Sequence, residues 1–202
     1  MKSLFLLILC AVGITVGAAA QTVAPYLKGQ QWKATLNTAA KEDYLSDEEK
    51  LVYYYLNLAR TQPRYFADSV LKTYPGARGH DNSYLKSSPY VTSLYRQLTT
   101  MKPLPALQPD RTVFTSAACY AEVAGKKGLT GHDRKGTSCP LRYAECCSYG
   151  METALDIVLQ LLIDKGIENT AHRAICLGPY SRLGVAIRPH RDYRQNAVLN
   201  FK

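Results

Sequence analysis

The sequence lacks the features that would place it in several large classes. No apolar run, residues 4–16 included, is long enough to cross a bilayer, which argues against a membrane-embedded chain. The 25 Lys and Arg residues are scattered, with no basic run and no aromatic-interleaved patch, which argues against a nucleic-acid binder. No paired C-x-x-C motif is present, so a structural zinc knuckle is not expected. Neither a G-x-S-x-G elbow nor an H-E-x-x-H helix occurs, so neither of these hydrolase signatures is available. There is no internal repeat and no low-complexity segment.

The N-terminus reads as an export signal. Lys2 supplies a positive start, Leu4 to Val16 an apolar core, and Ala18-Ala19-Ala20 a small-residue cleavage site before Gln21. Cys10 is not a lipid-attachment site, because the preceding residue is Leu9, where a small residue is needed. The expectation is a signal peptide over 1–20, an N-terminal arm over 21–45 and one domain over 46–202, secreted or periplasmic. About 180 residues are enough for a single domain with a sizeable core. The formal charge is +9, and one less once Lys2 is removed; a scattered positive surface favours acidic partners only generically.

Five cysteines follow the signal: Cys119, Cys139, Cys146, Cys147 and Cys176. In an exported chain they read as two disulfides with one thiol left over. On a strand, the adjacent Cys146 and Cys147 point to opposite faces and so take different partners. Cys139 with Cys176 is one pairing, and the connectivity stays open.

Helix and strand signals alternate along the chain. Ser46 followed by Asp-Glu-Glu is a capping box for a helix with apolar positions Leu51, Val52, Tyr55, Leu58 and Ala59. Pro63 opens a short helix through Leu71. Tyr74 to Ser88 is a Gly/Pro/Ser/Asn-rich loop carrying His80, read as a solvated histidine. Pro89 to Met101 is a helix, and Asp110 caps another that runs to Lys127 and stops at Gly128. Arg142 to Ser148 reads as a strand. Glu152 begins a helix, with Gly166 as its terminator. SRLGVAIRP and NAVLNF form an antiparallel hairpin.

The stretch from Gly131 to Arg173 carries the chemistry. His132 lies in the turn GHDRKG, Glu145 in the strand RYAECCSYG, Asp164 at the end of ALDIVLQLLID, and His172 in NTAHR. Two imidazoles and two carboxylates from four elements can hold a divalent metal or move a proton. The alternative for Glu145 is a structural ion pair with Arg142 or Arg173. Cys147 beside Glu145 has the look of a reactive thiol, although an exported cysteine is more often oxidised.

These motifs, in this order, resemble the CAP superfamily of cysteine-rich secretory, antigen 5 and pathogenesis-related 1 proteins, in a bacterial-type form. LVYYYLNLARTQP is similar to the family's opening LN-x-x-R stretch, and PLPALQPDRTVFTSAACYAE to its L-x-W-x-x-x-L-x-x-x-A helix. GHD supplies a first histidine, YAECCSYG stands where the family has G-E-N, and NTAHRAICLGPYSRLGVAI resembles G-H-R-x-x-(I/L)-L…G-V-G. Ala144, Cys146 and Ala171 depart from that pattern, and the eukaryotic G-H-Y-T-Q signature is absent. The resemblance implies an α+β fold, an α-β-α sandwich with a small antiparallel sheet between helical layers and a cleft on one side. It implies a cleft tetrad of His132, Glu145, Asp164 and His172, with Glu168 as the alternative acid.

The function expected is a ligand-binding or divalent-metal-binding module, zinc being the favoured ion and a lipid, glycan or protein surface the ligand. Two other readings stand beside it. One is a metal-dependent hydrolase of peptide or ester bonds, in which metal polarises water. The other is an interaction protein whose tetrad is purely structural.

Overall fold

The computed structural model describes residues 35–74 and 88–202. The segment read as an export signal, the first part of the arm and the loop histidine His80 lie outside the described residues. Among the described residues no helix is long and apolar enough to cross a membrane.

Helix α1 (Asp47–Thr61) begins on a full capping box: Glu49 N–H donates to Ser46 Oγ at 3.2 Å, and Ser46 N–H donates to Glu49 Oε2 at 2.8 Å. Pro63 opens α2 (Pro63–Phe66), which continues into one π-type turn, Ala67–Leu71. Helix α3 (Pro89–Thr100) and the two-residue strand β1 (Gln108–Pro109) follow. Asp110 Oδ1 accepts from the Thr112 and Val113 amides to start α4 (Arg111–Lys127), and Gly128, at φ 70°, ends it. Strand β2 (Ala144–Tyr149) leads to α5 (Ala154–Ile163), capped by Thr153 one residue later than the Glu152 start read from sequence. A 3-10 turn, Glu168–Thr170, then precedes α6 (Ala171–Cys176). The hairpin of β3 (Arg182–His190) and β4 (Arg194–Phe201) closes the fold.

The sheet order is β1-β3-β4-β2. Strand β4 is antiparallel to both β3 and β2, as expected, but β1 runs parallel to β3 over Gln108–Arg182 and Pro109–Leu183. The sheet is therefore mixed rather than wholly antiparallel. The long segment between β1 and β3 supplies the crossover that a parallel pair requires. Helix layers cover both faces, giving an α+β sandwich. Leu183, Val185, Ala197, Leu199, Phe201 and Cys146 join α1, α2, α3 and α5 in the larger core. Ala186, Val198 and Cys147 face α4 in the smaller one. Cys146 and Cys147 thus lie on opposite faces, as strand geometry demands. Gly184 lets α4 approach, because a Cβ there would sit 2.3 Å from the Val113 and Phe114 backbone.

Two residues of the LN-x-x-R stretch tie this core to its connections. Asn57 Nδ2 donates to Leu36 O and Leu107 O, and Asn57 Oδ1 accepts from Leu107 N–H at 2.7 Å. The end of the arm is held against α1 in this way, and Leu36 and Ala39 are buried there. Arg60, with no exposed surface, donates to the carbonyls of Pro105, Cys176, Gly178 and Tyr180. A planar guanidinium can reach four acceptors at once; an ammonium on a flexible stem cannot. Arg60→Lys should therefore cost about 2–4 kcal/mol, from buried carbonyls left unpaired. Urea unfolding with an unchanged m-value is the measurement, and a midpoint equal to wild type would contradict this account.

Candidate functional site

Strand β2 is a sheet edge, and the candidate site straddles it. Glu145 faces α4, on the same side as Cys147 and Tyr149, while Asp164 ends α5 on the other side. Each carboxylate is buried, with side-chain exposures of 2% for Glu145 and 1% for Asp164. A buried carboxylate needs partners, and each of these holds a histidine.

On the α4 side, Glu145 Oε1 lies 3.0 Å from His132 Nδ1. Glu145 Oε2 pairs with Arg134, whose guanidinium lies 4.2 Å from the centre of the Tyr120 ring and donates to Cys139 O and Pro140 O. With its amide nitrogen turned to the carboxylate, Asn200 donates to Oε2 at 3.0 Å and accepts from Ser116 Oγ and Ala117 N–H. The loop bearing His132 is fastened to the body at several points. Tyr120 Oη donates to Gly131 O, and Gly131 N–H donates to Tyr149 Oη. The Cys119–Cys139 disulfide joins that loop to α4; closing about 20 residues contributes about 3 kcal/mol in the chain-entropy account.

On the α5 side, Asp164 Oδ1 lies 2.8 Å from His172 Nδ1, and Oδ2 accepts from the Arg173 amide at 3.1 Å. Asp164 itself takes the left-handed position that ends α5, at φ 57°, two residues before the Gly166 read as the terminator. That turn swings a short carboxylate back onto the start of α6. Thr170, just before α6, has φ 48°, a costly backbone for a β-branched residue and the kind of strain that gathers at functional sites. Arg173 secures α6 by donating to Leu162 O, Ile163 O, Tyr90 O and Ser93 Oγ.

The two imidazole rings meet across the edge strand with centroids 6.0 Å apart. His132 is 45% exposed and His172 16%, so both reach the opening. With Nδ1 turned to a carboxylate on each ring, Nε2 is the nitrogen left for a ligand. A cavity of about 490 Å³ lies beside them, walled by Tyr149, Met151, Leu161, Ile163 and Ile167. His132, Glu145 and Cys147 also form a group whose ligand atoms lie within 4.8 Å of one another and could hold a metal ion.

The structure thus brings His132, Glu145, Asp164 and His172 to one place, and leaves Glu168 exposed in the 3-10 turn. Glu145 pairs with Arg134, not with Arg142 or Arg173. Arg134 is not among the residues the sequence singles out, although its position two residues after His132 is the available signal. Cys139 pairs with Cys119, not with Cys176, and Cys146, Cys147 and Cys176 are buried thiols where a single one was expected. Cys147 Sγ lies 3.9 Å from His132 Nδ1 and points at Gly131 O. Burial, and next the charge of Glu145, push its pKa far above the ordinary thiol value.

No protein-family model matches the sequence, and no curated protein does so either. Solved structures similar to it include an outer surface protein of Borrelia burgdorferi, 20% identical, with 47% of this chain and 75% of that one covered at a TM-score of 0.39. A hookworm platelet inhibitor is 13% identical, with 78% of this chain and 70% of that one covered at a TM-score of 0.44.

A raised thiol pKa means less thiolate at any given pH, so Cys147 should be inert in the folded chain. Alkylation by iodoacetamide at pH 8 should run about a hundredfold slower in native than in guanidinium-unfolded protein. Mapping the Cys147 peptide checks this, and comparable rates would show the thiol to be open to solvent.

Proposed function

We propose that this chain is an exported CAP-domain protein whose cleft binds a ligand beside a divalent ion held by His132 and His172. Residues 1–20 direct export, 21–45 form an arm whose end docks on the domain, and 46–202 form that domain. The observation that carries the reading is the pair of histidines, each oriented through Nδ1 by its own buried carboxylate, with rings 6.0 Å apart at an apolar-walled cavity. A carboxylate behind each imidazole is the arrangement that fixes ring orientation and raises ligand basicity at metal centres.

The donor set fits zinc. With a metal–nitrogen distance of about 2.1 Å, two imidazoles sharing a tetrahedral ion have centroids about 5 Å apart. The rings therefore need to close by about 1 Å. The carboxylates themselves are spoken for, Glu145 by His132, Arg134 and Asn200, and Asp164 by His172 and the Arg173 amide. That saturation favours binding over hydrolysis, since neither acid is free to serve as a base toward water. The lining favours an occupant with apolar surface, such as a lipid or the apolar face of a glycan or protein.

Zinc titration calorimetry tests the reading. The wild-type protein should bind one ion, and His132→Ala/His172→Ala should bind none while remaining folded. Glu145→Gln should weaken binding by about 10–100-fold, through loss of orientation rather than of a ligand. Undiminished binding by the double variant would move the ion elsewhere and end this proposal.

A further inference from the structure

The neighbouring cysteines of β2 have different fates, and Cys146 is the one whose surroundings point to chemistry. Its thiol lies 3.7 Å from the carbonyl of His172 in the first turn of α6. In an α-helix that carbonyl faces the residue four positions on, which here is Cys176. Cys176 is accordingly a near neighbour of Cys146, and its thiol acts on that of Cys146 more than any other side chain does. Both are buried in the larger core, with 0% and 1% exposure. Burial, and next the Cys176 thiol, push the pKa of Cys146 well above the ordinary value, so Cys146 lacks the setting of a nucleophile or a metal ligand.

We infer that Cys146 and Cys176 are joined by a second disulfide in the exported protein, clamping β2 to α6 and leaving Cys147 as the one free thiol of the domain. The two thiols give up two protons and two electrons. A disulfide oxidant accepts them by thiol–disulfide exchange, through a mixed disulfide on one cysteine that the other resolves, and leaves as two thiols. Exchange takes place while α6 is open during folding, before the core closes over both sulfurs. The bond has a consequence for the cleft. Cys146 follows Glu145 directly, and Cys176 lies one helical turn beyond His172. A covalent link between them holds the element that carries one histidine–carboxylate pair at a fixed distance from the element that carries the other. It leaves both histidines and both acids untouched, and it does not depend on whether an ion sits between them.

Non-reducing tryptic mapping tests the inference. Cleavage releases residues 143–165, with Cys146 and Cys147, and residues 174–182, with Cys176. Protein refolded with oxidised and reduced glutathione should yield these two peptides as one species, two hydrogens lighter than their sum and split by reductant. Cys147→Ser should retain the linked species, and Cys146→Ser should lose it. Recovery of both wild-type peptides as separately alkylated thiols, or a link that survives Cys146→Ser, would overturn the pairing. Amide exchange along α6 should also be about tenfold slower in the oxidised protein than in Cys146→Ser/Cys176→Ser. Equal exchange would remove the clamping role. Neither readout involves metal, so failure here and failure of the metal reading are distinguishable.

Discussion

A carboxylate cannot be left alone in a protein interior, and among the described residues four are buried: Glu49, Glu145, Asp156 and Asp164. Each is met by groups from elsewhere in the chain. Glu49 caps α1 and also accepts from the Ile187 amide and Arg188, so a helix start is bound to the sheet. Asp156 accepts from Tyr74 and Thr153. The other two take histidines. The same requirement that assembles the fold therefore orients the imidazoles, and the site is a by-product of satisfying buried charge at a place where the layers part.

That place is the edge strand. In the interior of a sheet, groups on opposite faces are separated by the strands themselves. At β2 the sheet ends, and a loop from the α4 side and a helix start from the α5 side can meet around its rim. Arg134 pairs directly with Glu145, and the Arg173 guanidinium, though bonded to carbonyls and Ser93, lies near enough to Asp164 to act on it through space, so the two acids are partly offset by positive charge. Under the proposed function, affinity for a cation would rest on imidazole lone pairs more than on net negative charge, which would favour ions that prefer nitrogen over hard ions such as calcium.

Local signals were readable in the sequence where one or two residues decide the outcome. Ser46 with Glu49 and Asp110 as a cap act within a single turn, and the alternation in the last hairpin reports which face is buried. The four residues of the cleft could be named for the same reason, because each sits in a short recognisable stretch. Their partners could not. Arg134 was hidden because an arginine in a turn has many places to go, and only the packed loop brings it over Tyr120 onto Glu145. The left-handed turn at Asp164 was hidden because Gly166 is the better residue for it by intrinsic preference. The bonds of Asp164 to α6 outweigh a local penalty of about 1–2 kcal/mol. The Cys119–Cys139 bridge depends on the path of a loop, which spacing does not reveal.

Strand β4 comes last among the described strands, yet it lies inside the sheet, with β3 on one side and β2 on the other. Two neighbours wait for it. Until residues 194–201 are available, β2 has no partner, and the helices that precede it have no complete surface to cover. Phe201 and Leu199 fill the larger core from this final segment, and Lys202 bonds back to Arg182. Assembly of the sheet is thus gated by β4, the last of the described strands: until it is in place, β2 has no neighbour to pair with. For a polypeptide proposed to be exported, the order of its strands is a timer.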